Sequence, residues 1–164
     1  MSKRNNSARS GRPKLQSLRV IVADDHALLR NYVVQMLEGR GIEVVGQAAT
    51  GDAAVLLAKD RLPDVVIMDV RMPGGMDGIS ATRQVCDSVP GCRVVAFSMD
   101  RDQATVARMR KAGAVAYVCK GDPLEVLLEA VLSHHVRGQR AGDDAGRPRT
   151  AAKGRGACPR CRLA

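Results

Sequence analysis

Carboxylate, hydroxyl and amine side chains stand at the ends of four short apolar runs in this sequence. Short apolar runs separated by amphipathic stretches are typical of buried parallel strands, and functional groups in open α/β sheets gather beyond the carboxyl ends of the strands. We therefore expect these side chains to meet at one edge of a sheet. They are Asp24, Asp25, Asp69, Ser98 and Lys120, and the runs are residues 18–23, 65–68, 94–97 and 115–119.

The three carboxylates of this set define the chemistry that such a site could perform. Carboxylates that lie close together repel one another and stay ionised only where positive charge holds them. Lys120 supplies one positive charge, and a divalent cation would supply more. Oxygen ligands, with several waters kept in the coordination sphere, suit Mg²⁺. The spacing therefore predicts a Mg²⁺ site.

The elements that must position these residues alternate between strand and helix along the chain. Thr50 is placed to cap the second helix, and Pro123 suits the first turn of the last one. Five strand–helix repeats predict a parallel sheet with right-handed crossovers and helices on both faces. The predicted strands are residues 18–23, 42–48, 65–70, 93–97 and 115–119, and the predicted helices are residues 26–38, 52–61, 78–88, 102–112 and 123–136.

The predicted core is almost entirely aliphatic. Hydrophobic residues make up 45% of the chain but aromatic residues only 2%, so Val, Leu, Ile, Met and Ala must fill the interior. A length of 164 residues suits one domain with tails and is too short for two domains of ordinary size. Apolar residues also mark one face of the first predicted helix, namely Leu28, Leu29, Tyr32, Val33, Met36 and Leu37.

The positive charge of the chain belongs to its two ends. Residues 1–17 carry +5 and residues 137–164 carry +6, which leaves −2 for residues 18–136 out of the total of +9. Both ends lack hydrophobic periodicity and cannot bury enough apolar surface to offset the entropy of ordering them. We predict that residues 1–17 and 137–164 are disordered basic segments around one folded domain, residues 18–136.

Cysteine use and hydropathy predict a reduced, cytoplasmic protein. The five cysteines form an odd set, and we expect no structural disulfide. No apolar run approaches the ~20 residues of a membrane span, and the N-terminus lacks the apolar core of a signal peptide. A zinc site remains an alternative for the tail, with the ligands Cys158, Cys161, His134 and His135.

Five motifs of this sequence, taken in order, resemble the receiver domains of bacterial two-component response regulators. The resemblance covers roughly residues 18–136. It implies a flavodoxin-like, CheY-like doubly wound fold with strand order 2-1-3-4-5. The motifs are Val-Ala-Asp-Asp-His (22–26), Ile-Met-Asp-Val-Arg-Met-Pro (67–73), Asp-Gly-Ile (77–79), Val-Ala-Phe-Ser (95–98) and Ala-Tyr-Val-Cys-Lys (116–120).

The resemblance also implies roles for the acidic residues. Asp69 would accept a phosphoryl group from a phosphohistidine of a sensor histidine kinase or from a small phosphodonor. Asp25, Asp69 and the backbone carbonyl of Arg71 would bind Mg²⁺ directly, while Asp24 would act mainly through coordinated water. The residue types support these roles independently, because phosphoryl transfer depends on positioning and on charge neutralisation.

The remaining matched residues would sense the phosphoryl group. Ser98 and Lys120 would bind its oxygens, and Tyr117 occupies the switch position, where an aromatic ring turns into the space that Ser98 vacates. The expected output is a changed partner or homodimer surface around the fourth and fifth helices, or the first and fifth. Transcriptional control is the expected context.

Three departures from the family pattern accompany the resemblance. Ser98 stands where threonine is more common, and Gly74 with Gly75 lengthens the loop after Asp69 and should loosen it. Gly121 replaces the proline that follows the lysine in many receivers, so no cis X-Pro bond is expected there. Together with Asp-Asp-His, this pattern is similar to receivers of the LuxR-type (NarL/FixJ-like) subgroup. Residues 137–164 are too short for the DNA-binding domain of that subgroup, which predicts a stand-alone receiver or one whose output domain is lost or replaced.

Two other classes of function stay open at this point. A phosphohydrolase of the haloacid dehalogenase type would need an acid two residues after the nucleophile, where Arg71 follows Asp69. We therefore expect self-phosphorylation and self-dephosphorylation but no enzyme turnover. The basic tails could bind nucleic acid weakly through phosphate charge alone. His26 could transfer protons, but beside the acidic pair it is interpreted as a solvated residue without a catalytic role.

Overall fold

A parallel sheet forms the centre of the computed structural model, which describes residues 18–133. Five helices lie between and after the strands of this part of the chain. The strands are β1 (Arg19–Ala23), β2 (Glu43–Ala48), β3 (Val65–Met68), β4 (Arg93–Ser98) and β5 (Ala116–Cys119). The helices are α1 (Ala27–Glu38), α2 (Gly51–Arg61), α3 (Gly78–Ser88), α4 (Gln103–Ala112) and α5 (Leu124–Leu132).

The strand order in the sheet is β2-β1-β3-β4-β5, and each neighbouring pair is parallel. This arrangement confirms the predicted α/β class and the flavodoxin-like order. The predicted disorder of residues 1–17 and 137–164 lies outside the described residues and stays a prediction. The same is true of the tail zinc site and of nucleic-acid binding by the tails.

Element bounds differ from the predicted ones by one or two residues in the described range. β3 ends at Met68 rather than Val70, because the Val70 carbonyl accepts a hydrogen bond from the amide of Gly78 at 3.0 Å and so turns toward α3. Pro123 is the N-cap of α5 rather than a residue of its first turn. Described α5 ends at Leu132, and residues 134–136 of the predicted helix lie outside the described range.

Side-chain caps fix where three helices begin. Thr50 Oγ1 accepts a hydrogen bond from the Ala53 amide at 3.2 Å, as the sequence predicts. Asp77 and Asp102 cap α3 and α4 in the same way. Each cap satisfies an amide that the first helical turn leaves without a partner. The loops that carry the polar residues of the sheet edge therefore end at defined points.

The core consists of two aliphatic clusters, one on each face of the sheet. Ile21, Val66 and Met68 point to the face covered by α2, α3 and α4. Val20, Val22 and Ile67 point to the face covered by α1 and α5. The alternation along β1 and β3 follows the two-residue period of a strand. The sheet is therefore buried on both faces, as the predicted apolar runs require.

The predicted apolar face of α1 is only partly correct. Val33 and Leu37 are fully buried, and the neighbouring Val34 is also buried. Leu28 and Tyr32, however, are 88% and 61% exposed. These two residues are four positions apart and form a strip of their own beside the strip that contacts the sheet. The apolar face of α1 is therefore wider than the part of that face that packs against the sheet.

Close backbone packing surrounds Asp69 and Met76 in the loop between β3 and α3. A Cβ atom at Gly78 would lie 1.8 Å from the carbonyl oxygen of Asp69. A Cβ atom at Gly51 would lie 2.4 Å from the carbonyl oxygen of Met76. Gly74 has a φ of 108°, which favours glycine. Glycine at positions 78 and 51 therefore permits close backbone contact with this loop, and the loosening expected from Gly74 and Gly75 stays a prediction.

Two smaller predictions can be compared with the described residues. Cys86, Cys92 and Cys119 form no disulfide, and no peptide bond between residues 18 and 133 is cis. Both observations agree with the sequence, while Cys158 and Cys161 lie outside this range. Across residues 18–133 we also find no helix with the length and apolar character that a membrane span requires.

Candidate functional site

The carboxyl edge of the sheet brings the predicted lysine and two of the carboxylates into contact. Lys120 Nζ lies 2.6 Å from Asp69 Oδ2 and 2.8 Å from Asp24 Oδ2. These three side chains are only 3–5% exposed. Lys120 also passes over the ring of Phe97, with Nζ 5.9 Å from its centroid. Residues 51 positions apart therefore meet because β3 and β5 end at the same edge.

Burial and charge compete at this contact. Burial raises the pKa of Asp69 above its ordinary value, although the hydrogen bond and the charge of Lys120 oppose that shift. Burial also disfavours the charged form of Lys120, but its contacts with Asp24 and Asp69 outweigh this and raise the pKa of the ammonium group. The lysine therefore stays charged. Its single positive charge does not balance the negative charges of the two carboxylates that it contacts.

The β1–α1 loop adds a third carboxylate and an imidazole to the same place. Asp24 Oδ1 accepts a hydrogen bond from the His26 amide at 2.9 Å, and Asp25 Oδ1 lies 3.0 Å from His26 Nδ1. One donor atom from each of Asp24, Asp25, His26 and Asp69 lies within 4.8 Å of the others. Asp24 Oδ2 is buried and contacts Lys120 without hydrogen-bond geometry. Carboxylate oxygens in this arrangement fit the ligand set of Mg²⁺.

Ser98 and Tyr117 lie on the other side of the pocket and share one neighbour. Ser98 is 1% exposed, and its Oγ accepts a hydrogen bond from the Asp100 amide at 3.3 Å. Tyr117 is half-buried, and its hydroxyl donates to the Asp100 carbonyl at 2.7 Å. The two residues that the sequence predicts as a switch are therefore joined through the backbone of Asp100.

Arg71 contributes more to this site than the sequence predicts. Its amide donates to Asp69 Oδ1 at 3.2 Å, and its guanidinium donates to Asp100 Oδ2 at 2.9 Å. The sequence assigned a role only to its carbonyl, and that role stays a prediction. One signal could have revealed the ion pair: opposite charges stand two residues after Asp69 and two residues after Ser98, at the ends of adjacent strands.

Asp100 is a residue of the pocket lining that the sequence reasoning missed. Its carboxylate accepts hydrogen bonds from the Asp102 amide at 2.9 Å and from Thr105 Oγ1 at 3.2 Å, in addition to Arg71. The bond from the Asp102 amide, followed by that from Arg71, lowers the pKa of Asp100. Asp100 therefore fixes the start of α4 relative to the β3–α3 loop.

A second ion pair ties the same loop to β5. Arg101 Nη2 donates to Asp122 Oδ1 at 3.0 Å, and Asp122 Oδ2 accepts from the Cys119 amide at 3.3 Å. Met99, in the same loop, is 72% exposed and lines the pocket. An open pocket of about 380 Å³ is lined by residues of both sides, including Asp25, His26, Asp69, Arg71, Ser98 and Lys120. A small anionic group could therefore reach the Asp69 carboxylate.

Comparison with known proteins agrees with this geometry. The family model described as response regulator receiver domain matches residues 20–132, more than half of the chain. Response regulator GacA of Pseudomonas aeruginosa is 40% identical over 115 residues, which are 70% of this chain and 53% of GacA. The chain thus spans about half the length of the curated relatives that it matches.

Solved structures give the same result. The receiver domain of the response regulator NarL from Mycobacterium tuberculosis is 35% identical with a TM-score of 0.64, covering 77% of this chain and 98% of that domain. A response regulator from Burkholderia pseudomallei was solved with a phosphorylated aspartic acid, calcium ion and citrate. It is 26% identical with a TM-score of 0.64, and the match covers 76% of this chain and 72% of that protein. The chain belongs to the response regulator receiver domain family of two-component systems and is related to its NarL-like, LuxR-type members.

Proposed function

We propose that Asp69 accepts a phosphoryl group from a phosphohistidine of a sensor histidine kinase and that this switches a partner or dimer surface. The observation that carries the proposal is the buried contact of Lys120 Nζ with Asp69 at 2.6 Å and with Asp24 at 2.8 Å. It places a fixed positive charge beside a carboxylate that lines the open pocket. Sensor histidine kinases are the usual partners of this family.

The chain's own residues supply the positioning that the transfer needs. An Asp69 oxygen forms a bond to phosphorus while the phosphorus–nitrogen bond of the phosphohistidine breaks and its electron pair returns to the imidazole. Lys120 then holds a phosphoryl oxygen, as it now holds Asp69. Asp25, Asp69 and the Arg71 carbonyl would hold Mg²⁺, with Asp24 acting mainly through coordinated water, and the ion would supply charge neutralisation for the phosphoryl group. The Burkholderia pseudomallei relative, solved with a phosphorylated aspartic acid and a calcium ion, supports this assignment.

Ser98 and Tyr117 convert the new phosphoryl group into a conformational change. The Ser98 hydroxyl accepts from the Asp100 amide and can turn its own proton to a phosphoryl oxygen. Movement of Ser98 pulls on the Asp100 backbone, to which the Tyr117 hydroxyl is bonded. Because the bonds from Ser98 and Lys120 to the phosphoryl group exist in only one conformer, phosphorylation shifts the equilibrium toward it.

The receiver acts as a switch input rather than as an enzyme with an external substrate. The position two residues after Asp69 holds Arg71, whose guanidinium is bonded to Asp100 and offers no acid–base group near neutral pH. This supports self-phosphorylation and self-dephosphorylation over a phosphohydrolase. Kinship with transcriptional regulators such as GacA supports transcriptional control as the context.

Intact-mass spectrometry tests the phosphoacceptor. Incubation with acetyl phosphate and Mg²⁺ should add one phosphoryl group to the wild type and none to Asp69→Asn, because the amide of asparagine is not a nucleophile. Asp87→Asn is the matched control and should be labelled like the wild type. Asp87 is exposed on the last turn of α3 and does not line the pocket. Equal labelling of wild type and Asp69→Asn would refute the assignment.

A further inference from the structure

We propose that His26 supplies a nitrogen ligand to the cation held by the carboxylates, so that this site binds first-row transition ions more tightly than an oxygen-only site would. The inference rests on the proposed function only in that both use the same metal site. The sequence interpretation of His26 was a solvated residue without a role. Its position in the fold points to a ligand.

The imidazole lies among the carboxylate donors. His26 Nδ1 is 3.0 Å from Asp25 Oδ1 and 3.6 Å from Asp24 Oδ1. Neighbouring ligands of an octahedral ion bound at ~2.1 Å lie roughly 3 Å apart, so the spacing of Nδ1 and Oδ1 suits two ligands of one cation. An Asp69 oxygen lies within 4.8 Å of the same group of atoms. A cation can therefore replace the proton that Nδ1 and Oδ1 now share.

The backbone of His26 is fixed even though its side chain is 71% exposed. Its amide donates to Asp24 Oδ1 at 2.9 Å, and its carbonyl accepts from the Arg30 amide at 2.9 Å. The Arg30 side chain also donates to the carbonyl of Asp24 and, at 3.2 Å, to Gln47. The loop is thus held from two sides, and its backbone presents the imidazole beside the Asp25 carboxylate.

The helix start gives a second reason for this reading. His26 is the N-cap of α1, a position where Ser, Thr, Asp or Asn usually accepts a hydrogen bond from the helix. The His26 side chain makes no such bond. It turns instead to Asp25 and lines the pocket together with Asp69. The His26 side chain therefore contacts the carboxylates of the pocket instead of capping α1.

A rival role for His26 makes a different prediction. As an imidazolium counter-charge it would compete with any cation, and its removal would raise the affinity for all divalent ions equally. As a nitrogen ligand it would favour ions that accept imidazole, whereas Mg²⁺ prefers oxygen. The ratio of the affinities for Co²⁺ and Mg²⁺ therefore separates the two roles.

The affinity test uses the full chain and two variants. His26→Ser keeps a residue that can cap α1 and removes the nitrogen donor. It should weaken Co²⁺ binding at least about tenfold, the loss that even an outer-shell partner can cause, and leave the Mg²⁺ affinity within about twofold. Asp25→Asn removes a carboxylate ligand and measures the Co²⁺ that binds elsewhere, including at His134, His135, Cys158 and Cys161. Equal changes for both ions in His26→Ser would overturn the proposal.

Pulsed electron paramagnetic resonance of bound Mn²⁺ tests coordination directly. The wild type should show modulation from a directly coordinated imidazole nitrogen, and His26→Ser and Asp25→Asn should lose it. Bound Mn²⁺ without that modulation in the wild type, or modulation that persists in His26→Ser, would overturn the proposal. Intact-mass measurement after acetyl phosphate treatment separates the two hypotheses. Phosphorylation without a nitrogen signal refutes only the ligand, and a nitrogen signal without phosphorylation refutes only the phosphoacceptor.

Discussion

The two sides of the pocket are built differently. The metal side, which consists of Asp24, Asp25 and Asp69, follows directly from the ends of β1 and β3, and two of its three carboxylates are almost fully buried. The switch side, which consists of Ser98, Tyr117 and loop residues 99–102, depends on ion pairs from that loop to its two neighbouring loops. The metal side is therefore fixed by the sheet, and the switch side is held by contacts that can be exchanged.

This difference suits the proposed task of each side. A cation site needs ligands that do not move, because each displaced oxygen lowers its affinity. A switch needs a loop with two arrangements of similar energy, and exposed ion pairs contribute little to stability. The Lys120 ammonium group contacts two carboxylates of the metal side, and its amide donates to the Ser98 carbonyl at 2.9 Å. It is the residue that connects the two sides.

Removal of the lysine charge should have the largest effect. In Lys120→Met, Asp24 and Asp69 lose their buried counter-charge, and we expect the free energy of unfolding at pH 7 without divalent ions to fall by about 3 to 5 kcal/mol. Urea unfolding followed by circular dichroism measures the loss. Lys111→Met, on the exposed end of α4, is the control and should unfold like the wild type. If Lys120→Met lost no more unfolding free energy than Lys111→Met, the lysine would not stabilise the cluster of Asp24 and Asp69.

A side chain at Gly78 should disturb the metal side alone. The added Cβ of Gly78→Ala would meet the Asp69 carbonyl at 1.8 Å, so the backbone must shift, and we expect a loss of about 3 kcal/mol with weaker Mg²⁺ binding. Gly75→Ala is the matched control, because the atom nearest to its added Cβ, Asp52 Oδ2, would be 3.8 Å away. Unfolding in urea and Mg²⁺ titration measure both effects. Similar losses in the two variants would contradict the steric explanation.

Loss of the Tyr117 hydroxyl should weaken the switch side moderately. Tyr117→Phe removes the bond to the Asp100 carbonyl, and we expect about 1 kcal/mol less stability in the unphosphorylated protein. Tyr32→Phe removes a hydroxyl from a ring that is 61% exposed and should change nothing. Thermal unfolding of both variants makes the comparison. If the two variants unfold alike, the hydroxyl of Tyr117 does not hold the loop.

The Arg71–Asp100 ion pair should have the smallest effect on stability. A double-mutant cycle with Arg71→Met and Asp100→Asn should give a small coupling free energy that disappears in 0.5 M NaCl, because salt screens exposed charges. The Asp102 amide and Arg71 lower the pKa of Asp100, so the folded chain binds this proton less readily than the unfolded chain. The stabilisation is therefore present above the unfolded pKa and is lost as the pH falls through the lower folded pKa.

The pH dependence of urea midpoints in wild type and Asp100→Asn checks this sign. The difference in urea midpoint between the two proteins should shrink as the solution is acidified toward pH 3. Both proteins should still be phosphorylated on Asp69 at neutral pH. A difference that grows on acidification would contradict the assigned direction. Coupling that survives 0.5 M NaCl would place the pair in a less solvated environment than its exposed arginine indicates.

Much of the metal side could be predicted from sequence because strand ends are marked by local patterns. Asp24, Asp69 and Lys120 each follow an apolar run, and parallel strands bring such positions to one edge. Bounds were less certain where tertiary contacts decide them, as at Val70, which leaves β3 to bond Gly78. The roles of these residues in phosphoryl transfer remain proposals that the experiments above address.

The switch side and the surface of α1 were predicted less well. In the sequence, Asp100 and Arg71 are ordinary loop residues. No local pattern predicts that the ion pairs Arg71–Asp100 and Arg101–Asp122 connect the loop after β4 to its neighbouring loops. The exposure of Leu28 and Tyr32 was missed for a related reason. Hydrophobic periodicity indicates which residues share a helix face, but the width of the sheet beneath the helix decides how much of that face is buried.

By itself, the sequence determined the alternation of strands and helices, the parallel sheet and the residues at its carboxyl edge, since these depend on local hydrophobic period and on chain connectivity. Only the tertiary structure decided that Lys120 touches both Asp24 and Asp69, that Asp100 joins Ser98 to Tyr117 and that His26 faces the carboxylates. The physical reason is that these contacts depend on loop geometry and side-chain direction, and both are set by packing between segments that are distant in the chain.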